Sequence, residues 1–274
     1  MEIVERRASF GGEQRVIEHH SAVLGCTMRV GVYLPPHWEG RDLPVLTYLS
    51  GLTCTEQNVI TKGGAQQFCA QHGIILVCPD SSPRGDDVAD DEGWDLGKGA
   101  GFYLTATEAP WSAHYKMDRY VIEELPALCA AFTNNPARGV TGHSMGGHGA
   151  IVLALRHPGH FRSVSAFAPI LTPSAVPWGE KAFSAYLGPD RAAWAAYDAT
   201  ELIASSTEKL PILIDQGAAD PFLETQLPSG PFLAAAHEAG HPVTYRLQAG
   251  YDHSYYFVST FMGDHVAHHA AALR

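Results

Sequence analysis

The run Gly139-Val140-Thr141-Gly142-His143-Ser144-Met145-Gly146-Gly147-His148-Gly149-Ala150 constrains this chain more than any other segment. It has the form Gly-x-Ser-x-Gly, with small residues where a strand must turn abruptly into a helix. Glycines on either side of such a turn remove the Cβ clashes that would otherwise forbid it. The residues beyond it, Ala150-Ile-Val-Leu-Ala-Leu-Arg156, are good helix formers, and His157-Pro158-Gly159 stops them. A strained strand–turn–helix of this kind lifts the Ser144 hydroxyl clear of the sheet edge as a candidate nucleophile. The plainer alternative is a Gly-rich turn that only lets a helix pack tightly against a sheet. Other residues must decide between the two.

A serine hydroxyl is a poor nucleophile at neutral pH and needs a base and an orienting acid. Lys209-Leu-Pro-Ile-Leu-Ile-Asp-Gln-Gly217 reads as a buried strand, and Asp220 follows just past its end. Pro242-Val-Thr-Tyr-Arg-Leu-Gln248 reads as the next strand and runs into a loop that carries His253. Open α/β sheets place their chemistry outside the carboxyl ends of strands, so Ser144, Asp220 and His253 fall where one site can form. Asp215 is the rival acid, but it lies inside the strand and reads as a structural carboxylate. Asp252 adjoins His253 and reads as serving its own turn. His143 and His148 flank the serine and read as packing or supporting residues.

The rest of the chain agrees with one α/β domain over 1–274. Residues 1–34 alternate as antiparallel strands do, and short apolar strands follow at 43–49 and 73–78 with a helix at 65–71 between them. The Asp- and Gly-rich span 80–112 reads as loop, 116–132 as an amphipathic helix and 161–167 as a strand. An excursion at 170–207, with several prolines and two short helical patches, reads as a wall or partial lid for a pocket. Helices at 229–239 and 255–272 complete a strand–helix alternation that signals a mostly parallel sheet covered on both faces. Apolar residues make up 46% of the chain and charged ones 17%, which suits a compact enzyme rather than a disordered segment. A formal net charge of -11 with no Lys/Arg stripe argues against a nucleic-acid surface. No apolar run approaches membrane-spanning length and no signal core opens the chain. Cys26, Cys54, Cys69, Cys78 and Cys129 are odd in number and irregularly spaced, as free thiols of a reducing cytoplasm would be.

Acyl transfer builds negative charge on a carbonyl oxygen, and two backbone N–H groups are expected to receive it. Met145, after the candidate nucleophile, offers one. The loop Ser50-Gly-Leu-Thr-Cys-Thr55 offers the other, from Leu52 or, as a fallback, Gly51. Cys54 sits beside this loop as a spectator thiol or a substrate contact, and it lacks an adjacent histidine that would make it a nucleophile.

At these residues the chain closely resembles the S-formylglutathione hydrolases, also called esterase D, of the α/β-hydrolase superfamily. The likeness runs nearly end to end: Ser50-Gly-Leu-Thr-Cys-Thr-Glu56, Lys62-Gly-Gly-Ala-Gln66, His72-Gly-Ile-Ile-Leu-Val77, Pro79-Asp-Ser-Ser-Pro-Arg-Gly85, Gly99-Ala-Gly-Phe-Tyr-Leu104, Pro177-Trp-Gly-Glu-Lys-Ala-Phe183, the serine turn, and Gly250-Tyr-Asp-His-Ser-Tyr-Tyr-Phe257. The resemblance implies an α/β-hydrolase fold, a Ser144–Asp220–His253 triad, oxyanion donors at Leu52 and Met145, and a cysteine near the site at Cys54. It also implies hydrolysis of the thioester S-formylglutathione to glutathione and formate in formaldehyde removal, by a cytoplasmic homodimer that uses no cofactor. Two departures bear on the pocket. Leu171-Thr172 stands where relatives often have Cys-Asn, and Thr105 where they commonly have aspartate.

Trp178 is a candidate wall for a small acyl pocket, or else an ordinary core aromatic. Glutathione is acidic, so Lys62, Lys98 and Lys181, in or near the expected pocket loops, are candidates for local positive charge. His265 and His269 share a helix face but lack a convincing third ligand, and read as satisfied or interfacial side chains rather than a metal site. A general short-acyl carboxylesterase, an acyltransferase and a noncatalytic relative remain as alternative functions.

Overall fold

A computed structural model describes residues 1–274. One nine-stranded sheet runs through it: β1 Glu2–Ser9, β2 Gly12–Ser21, β3 Cys26–Leu34, β4 Val45–Leu49, β5 Ile75–Pro79, β6 Arg138–Gly142, β7 Ser163–Phe167, β8 Ile212–Gly217 and β9 Val243–Gln248. Their spatial order is β1-β2-β3-β5-β4-β6-β7-β8-β9. The first three strands are antiparallel and join β5 antiparallel, and every later pairing is parallel. The central strands β4, β5 and β7 are buried at every residue, as parallel strands covered on both faces must be. The edge strand β1 is largely exposed and carries Glu2, Glu5, Arg6 and Arg7, charges that discourage pairing with another chain. It turns into β2 through Phe10 and Gly11, both at positive φ, which suits a tight two-residue hairpin.

The helices are α1 Glu56–Lys62, α2 Ala65–His72, α3 Met117–Arg119, α4 Leu125–Cys129, α5 Met145–Arg156, α6 Pro177–Leu187, α7 Arg191–Trp194, α8 Ala199–Ser205, α9 Gly230–Glu238 and α10 Tyr255–Ala272. Helix α5 packs with α8 and lies against β4, β6 and β7, while α10 packs with α2 and lies against β7 and β8. The helix expected over 116–132 is present but interrupted, since a π-helical turn at Tyr120–Glu124 joins α3 to α4. Pro126 explains the break: it has no N–H to donate back to residue 122, so the turn widens there. The excursion at 170–207 holds more helix than its prolines suggested. Pro177 sits at the first position of α6, where a missing N–H costs nothing, and α6 runs for 11 residues. Helix α1 was not legible beforehand; its signal is Thr55, whose side chain accepts from Gln57 N–H while Asn58 reaches back to Thr55 N–H. No helix is long and apolar enough to cross a membrane.

Candidate active site

The carboxyl ends of β4, β6, β8 and β9 open onto one cleft of about 260 Å³. Ser144 lies at its floor between β6 and α5, with φ 58 and ψ -119. A non-glycine residue in that region costs on the order of 1–3 kcal/mol, and it persists only where the surroundings hold it. Here Ser144 N–H donates to Phe167 O at 2.9 Å, His143 N–H to Leu49 O at 3.1 Å, and His148 N–H to Ser144 O at 3.0 Å. The glycines are required by contact. A Cβ on Gly146 would lie 2.0 Å from Leu49 O, and one on Gly142 would lie 2.3 Å from Gly146 O. The turn is therefore wedged between β4 and its own helix.

His253, on the loop after β9, directs Nδ1 to Asp220 Oδ2 at 2.5 Å. Asp220, just past β8, also accepts from Gln216 Nε2 at 3.0 Å and, through Oδ1, from Phe222 N–H at 2.8 Å. All three partners are donors, so the carboxylate fixes Nδ1 of His253 as the protonated nitrogen and leaves Nε2 free to accept. Ser144 and His253 both line the cleft. The ring of His143 lies 4.5 Å from that of His253, centre to centre. Burial first, and then the proximity of the His253 ring, hold His143 well below the ordinary histidine pKa, so it packs as a neutral ring.

Asp215, the rival acid, is turned away. Its carboxylate is fully buried and accepts from Arg246 at 2.7 and 2.5 Å, Gln248 at 2.8 Å and His265 Nε2 at 3.0 Å. Burial opposes its ionisation, but the bonds from His265, Arg246 and Gln248 outweigh that and lower its pKa to about 2. Asp252 accepts from Ser254 N–H and Oγ at 2.9 and 2.6 Å, at the start of α10. His265 and His269 are buried and bonded to Ser165 and Ser163, so their second partners are hydroxyls and Asp215. His148 is also buried, with Nε2 3.2 Å from Phe102 O, and burial lowers its pKa to about 4.

The loop after β4 presses on the serine turn: a Cβ on Gly51 would meet Ser144 Cβ and His143 O at 3.1 Å each. Cys54 N–H returns to Gly51 O at 3.3 Å and Thr53 has φ 66, so Gly51–Cys54 forms a turn with Leu52 at its second position. A turn of this type does not use the N–H of its second residue. Met145 begins α5, where first-turn N–H groups have no carbonyl within the helix. Both candidate oxyanion donors thus sit on backbone whose local geometry leaves the N–H without an internal partner. The positive end of α5 also points to this spot.

Cys54 and Trp178 line the cleft, whereas Lys62, Lys98 and Lys181 do not. Lys98 faces Asp90 at 3.9 Å, and Lys181 pairs with Asp95 and Asp91. Lys62 ends α1 without a carboxylate within 4 Å, and its charge opposes the burial that raises the Cys54 thiol. Leu171 and Thr172 are buried and off the cleft, and Thr105 donates to the buried Asp118. Neither departure reshapes the lining directly. Sequence reasoning missed Asn58, Trp94, Phe222 and Tyr255, which complete the wall. Phe222 and Tyr255 each follow a candidate triad residue by two positions, which was the available signal. Trp94 lay in a loop without periodicity and gave none.

A family model described as "Putative esterase" matches residues 21–269, so this is an esterase-type hydrolase on an α/β scaffold. The S-formylglutathione hydrolase of Mus musculus is 56% identical over 269 residues, 96% of this chain and 95% of its own length. That of Rattus norvegicus is 54% identical over the same length. The solved structure of an S-formylglutathione hydrolase from Agrobacterium tumefaciens superposes with a TM-score of 0.97 at 49% identity, covering 100% of both chains. The chain belongs to the S-formylglutathione hydrolase family.

Proposed function

We propose that this chain hydrolyses S-formylglutathione to glutathione and formate through Ser144, His253 and Asp220. The observation that carries the reading is the His253–Asp220 contact at 2.5 Å, in the same cleft as a serine held at φ 58. Ser144 Oγ attacks the formyl carbon while Nε2 of His253 takes its proton, and Asp220 holds the tautomer and steadies the imidazolium. Leu52 and Met145 N–H groups receive the developing oxyanion. Collapse breaks the C–S bond, and the glutathione sulfur takes the proton from His253, which leaves Nε2 free to accept again. Water then adds to the formyl-serine ester with His253 as base, and formate departs. The atoms balance with water alone, so the reaction asks for no cofactor.

Cys54 contributes a wall at the cleft; burial keeps its thiol protonated at neutral pH, which suits a contact better than a second nucleophile. Lys62, exposed and unpaired at the end of α1, supplies positive field toward the glutathione carboxylates. In that case salt and Lys62→Ala lower kcat/KM for the thioester more than for a neutral ester. The reading extends, on family resemblance, to a cytoplasmic homodimer acting as a single domain in formaldehyde removal; sedimentation velocity tests the dimer.

The test compares kcat/KM for S-formylglutathione with that for p-nitrophenyl acetate in wild type and Ser144→Ala. A strong thioester preference that vanishes with Ser144 supports the reading. Efficient ester cleavage with little use of S-formylglutathione would move the function to a general short-acyl carboxylesterase.

A further inference from the structure

The cleft, at about 260 Å³, is smaller than the 300–1,000 Å³ typical of pockets that enclose a drug-sized ligand. A formyl group on Ser144 occupies little of it, and the glutathionyl part, the bulk of the substrate, extends from there toward the rim. One large aromatic side chain stands at that rim. Trp94 lines the cleft yet keeps 54% of its surface exposed. A tryptophan recruited only for core packing would be covered.

Trp94 stands edge-to-face on Trp178, with ring centres 5.6 Å apart and planes at 82°. Trp178 packs on Phe222 at 4.7 Å, and Phe222 on His253 at 5.2 Å. An aromatic row thus leads from the rim to the base. The same helix that carries Trp178 also holds the Trp94 loop. Lys181, three residues after Trp178 and on the same face of α6, bonds to Asp95 and lies 3.7 Å from Asp91. Asp91 in turn accepts from Gly93 N–H at 2.8 Å. Further along α6, the Tyr186 hydroxyl accepts from Gly97 N–H at 2.9 Å and donates to Ala100 O at 2.8 Å. The loop is pinned on both sides of Trp94, although no strand or helix runs through it.

We propose that Trp94 is the platform for the glutathionyl leaving group, and that Lys181 is a positioning residue that holds it there through Asp95 and Asp91. This rests on the thioesterase reading above. Lys181 then serves recognition through its loop contacts rather than by offering its own charge to glutathione. The formyl group is too small to reach the rim, so Trp94 acts on the thiol portion and discriminates between substrates by it. An indole offers a broad rigid face and an N–H at little entropic cost, which suits a flexible peptide.

The experiment measures kcat/KM for S-formylglutathione and for p-nitrophenyl acetate in wild type, Trp94→Ala, Trp94→Phe, Lys181→Met and Lys181→Arg. It also measures competitive inhibition of ester cleavage by S-methylglutathione, which has the tripeptide but no scissile carbonyl. Trp94→Ala is expected to lower the thioester-to-ester ratio of kcat/KM at least tenfold, mainly through KM, and to weaken S-methylglutathione to a similar extent. Trp94→Phe should recover most of the ratio. Lys181→Met should shift it the same way by a smaller factor, and Lys181→Arg should restore it. An unchanged ratio in Trp94→Ala, with wild type active on the thioester, would overturn this inference and leave the thioesterase reading standing. A wild type inert toward S-formylglutathione would overturn both.

Discussion

Replacing Asp220 by asparagine should cost activity far out of proportion to stability, and the contacts around it say why. The carboxylate accepts three hydrogen bonds: from His253 and Gln216 at Oδ2, and from Phe222 N–H at Oδ1. Asparagine keeps one acceptor and gains a donor, so it must choose an orientation. If the amide NH₂ faces Phe222 N–H, a half-buried backbone donor meets a donor and is left both unpaired and repelled, at about 1–3 kcal/mol. If it faces His253, Gln216 can turn its own amide to accept, losing only its 3.2 Å bond to Gly217 O, worth about 1 kcal/mol. The second orientation wins. It then donates to Nδ1 of His253 and drives the proton to Nε2, the nitrogen that must accept from Ser144. The equivalent Asp→Asn change in a serine protease lowers kcat about 10⁴-fold by this tautomer effect, roughly 5.5 kcal/mol of barrier. Stopped-flow and steady-state kcat/KM with p-nitrophenyl acetate, beside a urea unfolding curve, would test it. The expected result is a loss near 10⁴-fold with a stability change of about 1 kcal/mol. A loss under tenfold in a folded Asp220→Asn protein would refute the assigned roles of both residues.

Two further outcomes follow from packing and burial. Gly146→Ala should destabilise the fold by about 3 kcal/mol or more, since its Cβ would lie 2.0 Å from Leu49 O and neither backbone can yield; the urea midpoint reads this, and a shift under 1 kcal/mol would contradict it. Acid should weaken the protein well before carboxylates titrate. His143, His148, His265 and His269 are buried with pKa values lowered mainly by burial, so below the ordinary value of 6.5 the unfolded chain binds protons that the folded chain refuses. Their contribution is whole above pH 6.5 and is lost as pH falls toward the folded values. For His148, at about 4, that amounts to about 3 kcal/mol by pH 4. Urea unfolding free energies that stay flat from pH 7 to 4.5 would sink this account.

What the sequence determined by itself is local or periodic. The Gly-x-Ser-x-Gly turn is set by steric rules acting over a few residues, and Gly142 and Gly146 have the close backbone contacts that those rules demand. Strand and helix alternation follows from apolar patterning, and with it the arrival of Ser144, Asp220 and His253 at the carboxyl ends of strands. Where local chemistry was ambiguous, the boundaries moved: Pro126 broke one expected helix, and Pro177 began another. Tertiary structure alone chose partners. Asp215 and Asp220 are five residues apart and chemically identical, but the strand pleat sends one to Arg246 and His265 and the loop brings the other to His253. Lys181 resembled a free cation in the sequence until Asp91 and Asp95, far away in the chain, claimed it. Trp94 gave no signal, because an irregular loop has no period to betray which side chain faces a cleft. Backbone conformation is governed by near neighbours, whereas the pairing of a charge or the exposure of a ring depends on groups that only the folded chain brings together.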